Sequence, residues 1–245
     1  MSDISRSDQV RKEGQRLVRM VVVNRVKVER HGLFMRVAHW LVLVEGIILT
    51  LTGFQLGGIL GINLFPDDNM SIHVMTGLIF IVTATLAVYD MVITGDYFWV
   101  RLQRIPYSFK YILLETKAWF HLAPTPEEPV YYEVKRNDYG EKLIPSVIIV
   151  FWSFAALGIL LALTGLALAF PTQMWFVYSI TDGLGKLLTG TTITTGTSGL
   201  AFMLTLHRLL TYLLILLVGM HAYAVFVFGL VRSMISGKKD EKALT

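Results

Sequence analysis

The apolar residues are gathered into four long runs, roughly 37–62, 71–93, 143–170 and 200–231, set apart by polar segments. Each run reaches the roughly 20 residues that a helix needs to cross a hydrocarbon core of about 30 Å. The pattern predicts an all-α integral membrane protein, a four-transmembrane-helix bundle in one domain spanning 37–232. The fourth run is longer than a crossing requires, so it is tilted or projects from the membrane. A polar tail, 1–36, precedes the bundle, and alternation in Met20–Val28 suggests a short extended segment there. Two readings stand for that tail, a basic juxtamembrane segment or a docking strand for a partner subunit. The loop 94–142 predicts an interfacial helix over Phe109–His121, ended by Pro124, Pro126 and Pro129. The connector 171–199 is rich in Thr and Gly, with Trp175 and Tyr178 suited to a membrane interface. A tail, 233–245, closes the chain, and no internal repeat is evident.

Composition sharpens this picture. Of the 245 residues, 54% are hydrophobic and only 16% charged, against about 25% charged in a soluble domain. There is no cysteine, which excludes disulfides, thiolate metal sites, iron–sulfur ligation and covalently attached haem within this chain. The basic excess lies in the loops without aromatic interleaving, so no nucleic-acid partner is expected. Residues 1–36 hold nine Lys or Arg, the loop 94–142 seven, and the segment from Arg232 four. Of the remaining two, Lys186 is in a short connector and Arg208 in the fourth run. The positive-inside rule therefore predicts cytoplasmic N- and C-termini and a multi-pass protein of the cell (inner, cytoplasmic) membrane.

Candidate chemistry lies with the histidines. His207 and His221 are fourteen residues apart in the fourth run, so at about 100° per residue they leave the same helix face, about 21 Å apart along the axis. His39 opens the first run and His73 the second. Depth then pairs His39 with His221 toward the cytoplasm and His73 with His207 toward the outside. Each pair can ligate one haem iron from opposite faces through neutral imidazoles. Zinc favours a closed four-ligand cage, which pairs so far apart do not form. A lone intramembrane histidine can merely bond a neighbouring helix, but two depth-matched pairs point to function. His31 and His121 read as surface or interface residues.

Several stretches resemble the four-helix dihaem cytochrome b subunit of membrane-bound formate dehydrogenases and of the related nickel–iron hydrogenases. They are Arg36-Val-Ala-His39-Trp40, His73-x-x-x-Gly77, Gly140-Glu141-Lys142, Leu163-Thr164-Gly165-Leu166 and the His207-to-His221 spacing, and the similarity extends over about residues 30–235. The resemblance implies two bis-His b haems on His39, His221, His73 and His207. It also implies an iron–sulfur electron-transfer subunit and a catalytic subunit as partners, and exchange with a quinone of menaquinone or ubiquinone type. The family often reads Asn-x-Gly-Gln-Lys before its third span, where the Asn helps to form a quinone pocket. Here Asn137-Asp138-Tyr139-Gly140-Glu141-Lys142 stands instead, which nominates Asn137, Asp138 and His221 for quinone.

Arg36 and Arg208 each adjoin a candidate ligand, and either can pair a haem propionate; for Arg36, ordinary positive-inside placement serves equally. Glu45, about 9 Å deeper than His39, can relay protons to a quinone or bond a neighbouring helix. Gly53, Gly57 and Gly61 recur every four residues, a spacing that admits a helix or a flat cofactor, and Gly57 and Gly58 can give room to a porphyrin face or to helix packing. Tyr212 and Met220 read as packing residues. The expected function is that of a membrane-anchoring subunit carrying electrons between an iron–sulfur partner and the quinone pool. No substrate-oxidising site is evident in this chain. The rivals are a stand-alone transmembrane b-type electron carrier and a haem-free anchor or transporter.

Overall fold

The computed structural model describes residues 24–59, 61, 63–190, 196–227 and 229–244. The element order is β1 (Asn24–Glu29), α1 (Leu33–Leu56), α2 (Asn69–Ile93), α3 (Ile105–Trp119), β2 (Tyr131–Glu133), β3 (Asp138–Glu141), α4 (Pro145–Ala169), α5 (Trp175–Thr189), α6 (Gly196–Val227), α7 (Val231–Ser236) and β4 (Lys238–Leu244), with two short 3-10 turns between α2 and α3. Four helices, α1, α2, α4 and α6, are long and apolar enough to cross a membrane. The chain divides into a unit of residues 32–100 and 149–231, and a second unit of 1–31, 101–148 and 232–245.

The first unit is a membrane bundle whose polarity is inverted relative to a soluble core. The buried positions of α1 are Ala38, Glu45 and Thr52, spaced by seven residues, so two turns return each to nearly the same face. On α2 the buried positions are Asn69 and Thr83. Large apolar side chains such as Val44, Ile47, Ile79 and Val82 are exposed, as expected of surfaces that meet acyl chains. Helix contacts in that environment come from close packing and interhelical hydrogen bonds. Thr83 Oγ1 donates to Glu45 Oε1 at 2.8 Å, and Asn69 Nδ2 donates to the Thr52 carbonyl at 3.1 Å. These bonds pin α1 antiparallel to α2. Trp152 Nε1 on α4 donates to the Val100 carbonyl at 2.7 Å, and Ala167, Val177 and Met203 join α4, α5 and α6 in an apolar cluster.

Helix ends depart from the apolar runs for local reasons. α1 begins at Leu33, after Gly32, and stops at Leu56, before the expected 62. Gly58 has φ of 66°, a left-handed conformation that stops helix growth and suits glycine. The four-residue glycine pattern therefore does not form one helix face. Gly57 is the C-cap and Gly61, φ 60°, lies beyond it, so neither offers a helix surface to a flat cofactor. α4 begins at Pro145, a position where the missing N–H costs nothing. α6 ends at Val227, before the expected 231, with Gly229 at φ 62°. The connector 171–199 contains a further helix, α5, closed by Gly190 at φ 73°. Its mixed apolar and polar face was hidden in the sequence by the Thr- and Gly-rich stretch that follows. The expected interfacial helix is present as α3, four residues earlier at its start, with Pro106 in its first turn.

The second unit carries a four-stranded sheet in the order β1-β4-β2-β3. β1 runs antiparallel to β4, Asn24 opposite Ala243 through Glu29 opposite Lys238; β4 is parallel to β2, and β2 and β3 form a hairpin. The alternating segment of the N-terminal tail is thus a strand from Asn24, paired with the chain's own C-terminus; its residues 20–23 lie outside those described. An ion pair between Arg30 and Glu241, each 4% exposed, ties the two tails together. The same guanidinium donates to the Lys142 carbonyl at 3.0 Å.

Candidate functional site

In the bundle, His39 of α1 meets His221 of α6 with ring centroids 6.4 Å apart, and His73 of α2 meets His207 of α6 at the same 6.4 Å. Continuous helix between His207 and His221 sets the two meeting points at different depths along α6. The ring planes are inclined by 51° in the first pair and 80° in the second. Two imidazoles that ligate one metal ion from opposite sides, with metal–nitrogen bonds of about 2 Å, stand with centroids a little over 6 Å apart. Among the described residues no cluster of three or more His, Asp or Glu could hold a metal ion. Each meeting point offers two imidazoles, a donor set that would suit an iron whose four equatorial positions come from a porphyrin.

The surroundings of the second pair fit such a group. Thr52 Oγ1 lies 2.8 Å from His73 Nδ1, and Thr164 Oγ1 lies 2.8 Å from His207 Nδ1. Each hydroxyl also donates to its own helix, Thr52 to the Ile48 carbonyl at 2.7 Å and Thr164 to the Leu160 carbonyl at 2.8 Å. With its proton committed there, the hydroxyl oxygen accepts from Nδ1–H, so Nε2 carries the lone pair that a metal requires. The next residue in each helix is glycine. A Cβ at Gly53 would stand 3.3 Å from His73 Cε1, and one at Gly165 would stand 3.3 Å from His207 Cε1. Both rings thus lie against bare backbone. Around the first pair, Trp40 packs edge-on to His39 at 5.8 Å and Phe154 of α4 edge-on to His221 at 5.5 Å. The Nδ1 of His39 is buried and has no hydrogen-bond partner among the described residues.

Thr52 and Phe154 carry no signal in the sequence pattern, and Thr164, Gly53 and Gly165 stand there only as parts of longer patterns. The tripeptide Leu-Thr-Gly occurs at Leu51-Thr52-Gly53, Leu163-Thr164-Gly165 and Leu188-Thr189-Gly190, and the third copy closes α5, so the tripeptide by itself does not single out the site. Arg36 stands one turn before His39 on α1 and is half-buried; Arg208 follows His207 and is exposed. Glu45 is 8% exposed, and its second carboxyl oxygen has no hydrogen-bond partner among the described residues. Tyr212 packs on Phe54 at 6.4 Å, as expected of a packing residue.

The remaining candidates lie in the sheet unit. Asn137 occupies the β2–β3 turn at φ 51° and accepts a hydrogen bond from the Tyr132 hydroxyl at 3.0 Å. Asp138 Oδ1 accepts from the Tyr139 backbone N–H at 2.7 Å. The turn alone accounts for both. Gly140 lies beneath Tyr131, whose ring any Cβ there would strike. Glu141 pairs with Arg104, and Lys142 stands 5.9 Å over the Tyr139 ring. His31 donates its backbone N–H to the Gly237 carbonyl at 3.3 Å, and His121 ends α3 at φ 57°.

Four membrane-length helices with imidazoles facing one another in pairs define a membrane haem-binding bundle of the b type. The family model described as prokaryotic cytochrome b561 matches residues 30–237, and the chain belongs to that family. It is a multi-pass membrane b-type haem electron carrier. No curated protein matches the chain.

Proposed function

We propose that the chain is the membrane-anchoring dihaem cytochrome b subunit of a respiratory oxidoreductase complex of the formate dehydrogenase or hydrogenase type. It carries electrons across the membrane between an iron–sulfur partner subunit and the quinone pool. The observation that carries this reading is the matched pairing of His39 with His221 and of His73 with His207, each at 6.4 Å, along one helix. These four imidazoles would hold two b haems, which supply one-electron chemistry when bound. The protein fixes their spacing, presents neutral Nε2 donors from His73 and His207, and excludes water through its apolar outer face. Arg36 and Arg208 neutralise propionates. Basic residues concentrated in the tails and in 94–142 support cytoplasmic termini in the inner membrane. The quinone candidates Asn137 and Asp138 belong to the sheet unit and the candidate His221 to the bundle.

The test is a pyridine haemochrome count on purified wild type, His207→Ala and His221→Ala, with mild-detergent co-purification from native membranes. Two b haems in the wild type, one in each variant, and a co-purifying iron–sulfur protein are expected. Two haems in a chain that purifies alone would replace the subunit reading with a stand-alone carrier. Haem content untouched by both substitutions would remove the assigned ligands.

A further inference from the structure

The two histidine pairs differ in what stands behind them. His73 and His207 each face a threonine hydroxyl at 2.8 Å through Nδ1. These threonines come from different helices, α1 and α4, yet each is followed by a glycine against the imidazole. Thr52 is fully buried and Thr164 is 3% exposed, so water does not compete for either hydroxyl. The Nδ1 of His39 in the other pair is also buried but has no partner among the described residues.

A ligand imidazole that donates its second N–H becomes more basic and is fixed in orientation and tautomer. Greater donation from both axial ligands favours the more positively charged ferric iron and lowers the midpoint potential. Burial strengthens the effect, because the local dielectric is low. We propose that Thr52 and Thr164 are positioning residues whose hydroxyls orient His73 and His207 and hold the haem between them at a lower potential than the same site would have without them. The inference rests on the dihaem reading of the site.

The experiment is a spectroelectrochemical redox titration of the purified full-length protein, with haem counted in the same samples. Thr52→Val and Thr164→Val keep the shape of the side chain and remove the hydroxyl. Each is expected to shift one of the two midpoints upward, toward the ferrous form, by a factor of up to about ten, or 59 mV for one electron. The other midpoint stays fixed, and Thr52→Ser and Thr164→Ser restore the wild-type value. A valine variant that loses one haem while its serine counterpart keeps it shows the same hydroxyl requirement. Two retained haems with unchanged midpoints would overturn the proposal while leaving the dihaem reading intact. Haem loss in the serine and valine variants alike would overturn it as well. A wild type without two b haems would sink the underlying reading instead.

Discussion

Replacing Gly165 by alanine probes a close backbone approach at the His73–His207 pair. The added Cβ would stand 3.3 Å from His207 Cε1, inside the 3.4–4 Å of ordinary contact. The ring has little freedom to retreat. Its Nδ1 is held by Thr164 at 2.8 Å, and the His73 ring stands opposite at 6.4 Å. Such overpacking costs about 1–3 kcal/mol. Alanine recovers roughly 0.5–1 kcal/mol of helix stability relative to glycine, so folding changes little while ligand geometry bears the strain. At about 1.4 kcal/mol per decade, haem affinity at this pair falls roughly five- to a hundredfold. Gly165→Val, with two further carbons, removes that haem. The internal control is Leu160 on the same helix, whose side chain is exposed on another face; Leu160→Ala leaves haem content unchanged. The assay is titration of the haem-stripped protein with haem in detergent, followed at the Soret band and checked by haemochrome count. Gly165→Val holding two haems at wild-type affinity would refute the reasoning, as would equal losses in Leu160→Ala and Gly165→Ala.

Gly53→Ala, which meets His73 Cε1 at the same 3.3 Å, lowers affinity for the same haem in the same titration, whereas Val44→Ala, on the exposed face of α1, does not. Arg30→Met leaves Glu241 buried without its main counter-charge and destabilises the sheet unit by about 3–5 kcal/mol, measured as faster proteolysis of residues 238–244; Arg30→Met/Glu241→Met recovers most of the loss. Glu45→Ala removes the acceptor of the Thr83 hydroxyl and destabilises the α1–α2 pair by about 1–2 kcal/mol, read as a lower Tm in detergent, while Glu45→Gln retains the bond and most of the stability. Burial raises the Glu115 carboxyl above the usual glutamate range, against a smaller lowering by its bond with Ser146. The protonated form is therefore the one favoured by folding. Its contribution is fully present below the unfolded-state value and is lost as pH rises through the raised one. The protection factors of the α3 amides, exchange rates corrected for the intrinsic pH dependence, fall across that window in the wild type and stay level in Glu115→Gln.

The sequence by itself determined the number of spans, because the bilayer imposes a length of apolar chain that few other structures need. It also determined the pairing of histidine depths, since helix rise is fixed and fourteen residues return to one face. Tertiary structure decided what the period of a helix cannot carry. The approach of Thr52 and Gly53 to His73, and of Thr164 and Gly165 to His207, depends on which faces of separate helices meet. Each helix alone shows only a small-residue step. The sheet is a second case. β1 and β4 come from opposite ends of the chain and join β2 from its middle. Their short, charged sequences have no local signal strong enough to name partners so far apart. Gly140 shows why the two levels must be joined. As a letter in a family motif it only marked a resemblance, but the Tyr131 ring packed above it explains why no side chain fits there.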